Sequence, residues 1–479
     1  MGCCFSRNSN KLAPAEATDS NLTEPSTSPE KLPIILRNKN QKKFLSKFSI
    51  LKTYKKKSNG SIYLVKEKKT KKCKIIEEYH KNNKNRSDII NDHLENFQSL
   101  DHPNIIKIFQ IVETKLKVYF VREYCSGGGL LEKIIKTKQI SKNQVAKYIR
   151  DILNVVSHCH SQDIAIQDLN PGHILLDSKN ENANIKVVVG KVKENNLSKK
   201  SITDICYMAP EMFKGEYRKE ADVWSCGLIL WTLIFGRPPF HGKTRKKVIE
   251  SINKGLNLTD KAWAEISDEL KDLISKMLEK NPEIRISAKD ALEHPWIQAR
   301  SNNQVPDRAC AIDVLSRLSK FNAKSHVQKA ILDFISYNTA LAREEKELKE
   351  TVKSIDEDGD GKLSPDEIYK AFKILLLGSK EEANSVMVAC DNDESGHIKY
   401  SEFITGVLQW DKKIHENQLR EIFTNYDANG DGILTIEELK ECVIGEKGKE
   451  WEHFLDDMKV ENNHLITADE LGTYFQSKF

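Results

Sequence analysis

The sequence predicts an α+β unit followed by an all-α unit, and three observations carry that expectation. Alternating stretches such as "SIYLVKEK" and "KVYFVREY" come early and read as strands. Longer segments with helical periodicity follow, as in "NQVAKYIRDILNVVSHCH" and "ADVWSCGLILWTLIFG". Acidic loops of a single pattern then recur at intervals of 35 and 36 residues. At 479 residues the chain has room for about three domains.

Charge divides along the chain. The totals, 75 basic against 70 acidic residues, give a net charge of only +5. Between Arg37 and Arg86, however, there are 18 Lys or Arg and three Glu, whereas later segments carry runs such as "DEDGDG". One part is therefore expected to meet anionic surfaces or phosphates and another to meet cations. The ten cysteines include no C-x-x-C pair, so neither a disulfide framework nor a structural zinc site is indicated, and a reducing compartment fits. The apolar run "CGLILWTLIF" (226–235) falls short of the roughly 20 residues that span a bilayer. No motif points to nucleic acid.

The start, "MGCCFS", satisfies the pattern for myristoylation at Gly2, with Cys3 and Cys4 beside it as palmitoylation candidates. One myristoyl chain binds membranes only marginally, so stable attachment takes a second anchor. The two thiols and the basic stretch "RNKNQKKFLSK" (37–47) offer it. The expected location is the cytosolic face of a membrane. Residues 7–36, rich in Ser, Thr, Pro, Asn and Glu, are expected to be disordered, and 1–47 as a whole to form a lipid-anchored basic leader.

The acidic loops carry the strongest chemical signal. A calcium-binding EF-hand loop needs oxygen ligands at positions 1, 3, 5, 7, 9 and 12, with Gly at 6. "DEDGDGKLSPDE" supplies Asp356, Asp358, Asp360, Gly361, the Lys362 carbonyl, Ser364 and Glu367. "DNDESGHIKYSE" supplies Asp391, Asp393, Ser395, Gly396, the His397 carbonyl and Glu402. Lys399 at its ninth position leaves that place to water. "DANGDGILTIEE" supplies Asp427, Asn429, Asp431, Gly432, the Ile433 carbonyl, Thr435 and Glu438. A fourth repeat, "KVENNHLITADE" (459–470), has Lys459 at the first ligand position and is read as structural. The first loop, with four acidic ligands, is expected to bind most tightly.

Taken together, "LDHPNIIKIF" (100–109), "YFVREYCSGGGLLEKII" (119–135), "MAPEMFKGEYRKEADVWSCGLILWTLIFGRPPFHG" (208–242), "NPEIRISAKDALEHPWI" (281–297) and the loops above resemble the calcium-dependent protein kinases of plants, ciliates and apicomplexans. The resemblance implies a bilobed α+β protein-kinase fold over 48–297, an autoinhibitory junction over 298–340, and an all-α, calmodulin-like EF-hand domain over 341–479. It also implies that Glu211 pairs with Arg285, that Asp222 accepts N–H groups of the catalytic loop, and that Leu175 lies beneath the adenine of ATP.

The phosphate-transfer parts depart from the family pattern. In "AIQDLNPGHILLD" (165–177) the catalytic Asp168 survives, but His173 stands for the magnesium-binding Asn, Asn170 for the Lys and Gln167 for the Arg. Lys55 and Lys57 fall where the first two glycines of the phosphate loop belong, leaving Gly60. The strand lysine that grips phosphate corresponds to Lys74, with Lys71 and Lys72 as rivals. His93 stands for the helix Glu, with Glu95 nearby, Arg122 occupies the gatekeeper position, and Gly129 replaces a substrate-reading Glu. Val189, ungapped, or Gly190, after a one-residue deletion, marks the D-F-G motif, and neither alignment supplies its Asp.

Losing one preorganised stabiliser typically costs about 10²–10³ in rate. The reading is therefore a pseudokinase, and binding of ATP with magnesium is doubtful. The alternative is an unconventional serine/threonine kinase using Asp168 and Lys74. Between the halves, "VLSRLSKFNAKSHVQKAILDFISY" (314–337) has Leu315, Leu318, Phe321, Ala330, Ile331, Phe334 and Ile335 at helical spacing, with Arg317, Lys320, Lys324 and Lys329 interspersed. This junction helix is expected to be the intrachain target of the calcium lobes, with an unidentified protein as the outside partner or substrate.

Overall fold

The structure is a computed structural model that describes residues 34–36, 41–57, 60–68, 70–81, 100–136, 140–166, 168–180, 183–189, 201–216, 218–256, 261–300, 308–321, 332, 344–375, 379–391 and 395–407, with isolated positions at 435, 466, 467 and 470. The α+β and all-α units appear in the expected order.

The alternating segments near the start form one twisted sheet. Its strands are β1 (Ile34–Leu36), β2 (Phe48–Lys57), β3 (Gly60–Glu67), β4 (Cys73–His80), β5 (Ile108–Glu113) and β6 (Lys117–Glu123), in spatial order β1-β5-β6-β4-β3-β2. Helix α1 (Gln41–Ser46) covers one face, where Phe44 packs with Phe48, Val65, Ile76, Tyr119 and Val121. The other face carries Tyr79, Ile108, Ile111, Val118 and Phe120.

The segment expected to be an unstructured leader contributes two elements. Ile34–Leu36 adds a parallel strand to β5, and α1 supplies the buried Phe44. A three-residue backbone ladder and one buried phenylalanine hold the end of an otherwise polar stretch, a signal its composition dilutes. Residues 1–33, including Gly2, Cys3 and Cys4, lie outside the described residues.

The large lobe is built on α2 (Lys142–Ser161) and α3 (Glu220–Phe235), whose apolar residues form its core. Ser141 caps α2 by accepting the Gln144 N–H, and eleven residues of that helix are buried. Strands β7 (Gly128–Gly129), β8 (Ile174–Leu176) and β9 (Ile185–Val187) lie at the junction of the lobes. Two implied ties are present. Arg285 binds Glu211 through both guanidinium nitrogens, at 2.6 and 3.1 Å, with both side chains buried. Asp222 accepts the Ile166 N–H at 2.8 Å and sits 3.0 Å from His160 Nε2.

In the junction, α4 (Arg308–Lys320) starts six residues before the expected helix and buries Leu315, Leu318 and, just beyond it, Phe321. It packs against α5 (Glu344–Ile355), α6 (Pro365–Leu375), α7 (Lys380–Cys390) and α8 (Tyr400–Val407), the helices of the first EF pair. The rest of that expected helix lies outside the described residues, apart from the buried Leu332. Strands β10 (Lys362–Leu363) and β11 (Ile398–Lys399) join the two loops of the pair.

Candidate functional site

The strand ladder decides which side chains face the cleft between the lobes. Residues paired across an antiparallel ladder share a face, and neighbours along a strand alternate. Arg122 of β6 pairs with Ile75 of β4, and its guanidinium reaches the large lobe, where Nη1 donates to the Val189 carbonyl at 3.3 Å. Ile75, Glu77 and Tyr79 therefore form the cleft side of β4. Lys74 pairs with Val65 and lies with Ile76 on the side that α1 covers.

The strand lysine assigned to Lys74 is corrected by this geometry. The Lys74 ammonium sits 3.0 Å from Glu67 and 5.3 Å from the centre of the Phe109 ring, away from the cleft. In its place the cleft receives a carboxylate. Glu77 lies 3.3 Å from Arg122 Nε and accepts the Tyr79 hydroxyl at 3.2 Å. The Arg122 Nε contact is ionic rather than an aligned hydrogen bond, since that N–H lacks a bond of good angle. Arg122 is 2% exposed and Glu77 6%, so each charge depends on the other for compensation. Sequence reasoning missed Glu77 because it lies amid "KKCKIIEEYH", where lysines invite several alignments. The available signal was the period of two counted from Arg122.

The remaining expected parts sit as follows. Val189 is buried in the large-lobe core and, as its carbonyl bonds Arg122, presents no carboxylate. Asp168 is about two-fifths exposed. His173 Nδ1 lies 2.6 Å from the Asp168 carbonyl and 3.6 Å from its carboxylate, so that nitrogen is turned into the catalytic loop. Asn170 caps the turn by accepting the Gly172 N–H. Leu175 pairs with Gly129 and Lys186 between β7 and β9.

Gly60 closes the β2–β3 turn opposite Lys57, and a Cβ on it would lie 1.9 Å from the Glu78 carbonyl, so its lack of a side chain serves strand packing. Tyr124, following the hinge-side Glu123, has its hydroxyl pKa raised by burial and then by the neighbouring Tyr54 hydroxyl. Behind it Lys186 pairs with Glu123 at 2.9 Å. His93, Glu95, Gln167 and Gly190 lie outside the described residues, as do the side chains of Lys55 and Lys57.

The first calcium loop collects its ligands. Carboxylate oxygens of Asp356, Asp358 and Glu367 lie within 4.8 Å of one another. Asp360 is part of the same loop, with its carboxylate accepting the Lys362 N–H at 2.8 Å. Gly361, at φ +81°, turns the chain so that its N–H donates to Asp356 at 3.0 Å. Ser364 donates both its N–H and its hydroxyl to Glu367. Asp356 Oδ1 is buried with no hydrogen-bond partner. Burial, followed by repulsion from Asp360 and Glu367, holds the Asp356 carboxyl well above the usual carboxylate range, and Asp360 is raised as well.

An orphaned buried oxygen among like charges and an all-oxygen donor set fit a hard divalent cation. In the second loop Asp391 accepts the Gly396 N–H at 2.8 Å, and Glu402 accepts the Lys399 N–H at 2.8 Å. Asp393 lies outside the described residues. So do Asp427, Asn429, Asp431, Ile433 and Glu438 of the third loop, where only Thr435 is described. At the fourth, the Thr467 N–H donates to the Glu470 carboxylate, the Glu470 N–H donates to the Thr467 hydroxyl, and Ile466 is buried.

The first loop also touches the large lobe. His158 of α2 meets the Asp360 carbonyl at 2.5 Å, and burial pushes its imidazole pKa down to about 4. The neutral ring therefore donates its Nδ1 proton to that carbonyl. Lys353 pairs with the buried Asp151 at 3.0 Å, and the Ser401 N–H donates to Asp101 at 2.6 Å.

Comparison with known proteins agrees with this geometry. A protein kinase domain model matches residues 56–297, an EF-hand domain pair matches 345–408, and an EF hand matches 419–443. Calcium-dependent protein kinase 33 of Arabidopsis thaliana is 32% identical over 434 residues, covering 87% of this chain and 82% of that protein. The chain belongs to the calcium-dependent protein kinase family. Calcium-dependent protein kinase 4 of Plasmodium berghei (strain Anka) is 30% identical over 455 residues, 89% of this chain and 86% of the relative. Calcium-dependent protein kinase 5 of Plasmodium falciparum (isolate 3D7) is 32% identical over 350 residues, 71% of this chain, and the alignment spans 61% of that longer relative. The family architecture, with calcium-binding EF-hands behind a kinase domain, accounts for both sites.

Two measurements test them. Glu77→Ala removes the carboxylate that faces the buried Arg122 and is expected to cost about 3–5 kcal/mol in urea unfolding. The double variant Glu77→Ala/Arg122→Met is expected to recover most of that loss. In the first loop, Glu367→Gln removes the bidentate ligand, and calorimetric calcium titration is expected to show one site fewer than the unaltered chain.

Proposed function

We propose that this chain is a calcium sensor of calcium-dependent protein kinase architecture that works without transferring phosphate. The observation that carries the reading is the Glu77–Arg122 pair in the cleft. A triphosphate entering the site would meet a carboxylate at the cleft side of β4, where the family's lysine would have neutralised it. The gatekeeper guanidinium, held between Glu77 and the Val189 carbonyl, occupies the back of the cleft. Neither family position for a magnesium ligand offers an oxygen side chain, since His173 stands at one and neither alignment, with Val189 ungapped or Gly190 after a deletion, supplies an Asp at the other.

The output is then conformational. Asp356, Asp358 and Glu367 would hold calcium, whose charge would offset their crowding, in a loop whose neighbouring contacts hold it to α2 through His158 and Asp151. The EF pair that grips α4 and the large lobe that receives the loop are thus mechanically joined. A change in either alters the surface presented to a protein partner. Acylation at Gly2, with Cys3 or Cys4, would place that surface at the cytosolic face of a membrane.

A second reading rests on Asp168, which keeps the catalytic position and remains accessible. It makes the chain an unconventional, slow kinase. Transfer of radiolabelled phosphate from ATP, with and without calcium, separates the two. The sensor reading expects label no higher than in the Asp168→Asn variant under either condition. Calcium-dependent labelling that Asp168→Asn abolishes would establish the kinase instead.

A further inference from the structure

The free edge of the small-lobe sheet has a composition that the cleft and the calcium loops do not use. Among the described residues strand β2 ends the sheet, so one side of its backbone has no neighbouring described strand. Residues Ser49 to Thr53 are exposed in succession, and two neighbours among them are large and apolar, Ile50 at 61% and Leu51 at 53%. Single exposed apolar residues are ordinary, but two adjacent aliphatic side chains more than half exposed form an apolar spot.

That spot lies in a field of one sign. Residues 41–74 contain thirteen lysines and a single acidic residue, Glu67. Glu67 is buried against Lys74, so it does little to offset the charge outside. Lys52, Lys66, Lys68 and Lys71 are exposed on β2, β3 and the turn that follows, and Lys66 stands opposite Ser49 in the ladder.

We propose that this β2 edge is a docking surface for an anionic lipid bilayer. An exposed edge could instead accept another strand, but two features oppose that. The register shifts between Ile50 and Lys52 and again between Thr53 and Lys55, and such bulges twist an edge away from pairing. Lysine along an edge opposes strand addition as well. Lysines beside exposed aliphatic side chains are what an anionic interface accepts. The charges meet lipid headgroups while the apolar groups enter the acyl boundary.

The inference rests on the membrane reading above and supplies it with a protein surface. The segment from Gly2 to Ile34 can reach roughly 100 Å when extended, so acyl chains and β2 can engage one bilayer together.

The test uses the full chain carrying Gly2→Ala, which cannot be myristoylated, sedimented with phosphatidylcholine vesicles with and without phosphatidylserine. Binding is expected only with phosphatidylserine and is expected to weaken as salt rises. Ile50→Ser/Leu51→Ser should weaken it about tenfold, and Lys52→Glu/Lys66→Glu at least about tenfold. All four positions are exposed, and unchanged melting temperatures confirm that the fold survives. Excess soluble phosphoserine should not compete, which separates a lipid surface from a site for the free headgroup.

Absence of binding to phosphatidylserine vesicles overturns the proposal. So does insensitivity to the Ile50 and Leu51 changes, or equal affinity for a polyuridine RNA, which would mark a general polyanion surface. The myristoylated wild-type chain, run in parallel, reports on acylation alone. If it binds no tighter than Gly2→Ala, lipid anchoring fails while the result for β2 stands.

Discussion

A buried guanidinium has to be answered, and in this chain the answer to Arg122 sets the character of the cleft. Its position at the end of β6 points it between the lobes, where an unpaired charge would be too costly to keep. Glu77, two residues along β4 from Arg122's ladder partner Ile75, supplies the counter-charge, and the Val189 carbonyl supplies a hydrogen bond from the other lobe. The pair therefore ties small lobe to large lobe. It does so in the space where the family's nucleotide chemistry would be arranged, with a carboxylate on the strand that carries the lysine in the family.

The calcium half follows a different logic, in which crowding of like charge is left uncompensated until a cation arrives. Burial and the neighbouring carboxylates raise the proton affinity of Asp356 and Asp360, and Asp356 Oδ1 has no hydrogen-bond partner. The same loop lies against α2, where neutral His158 and the buried Asp151 take up its neighbourhood. The contact with α2 and the ligand cluster share one loop, and any coupling between them would be reciprocal. The sites are thus joined through packed groups as well as through the chain that connects the domains.

Much of this was legible in the sequence where a motif fixes both residue type and spacing. The Glu211–Arg285 and Asp222 ties lie where the resemblance places them, and the first calcium loop assembles the residues named from its pattern. Lys74 was not legible, because a lysine-rich strand offers several alignments and only the pairing of β4 with β6 fixes which residues face inward. A shift of an odd number of residues turns a side chain to the other face of a sheet, so Lys74 and Glu77 exchange roles. The docking of His158 on Asp360 was invisible for another reason: residues 202 positions apart meet only once both units are folded. Strand β1 escaped because three residues carry too little periodicity to stand out from a polar leader.

The central claim is that charge reversal in the cleft leaves no workable site for ATP with magnesium. The most direct measurement is the thermal shift of the full chain with ATP alone and with ATP plus magnesium, each with and without calcium. The account predicts stabilisation by calcium and no further stabilisation by nucleotide under any of these conditions. A magnesium-dependent shift with ATP that grows with nucleotide concentration would contradict it.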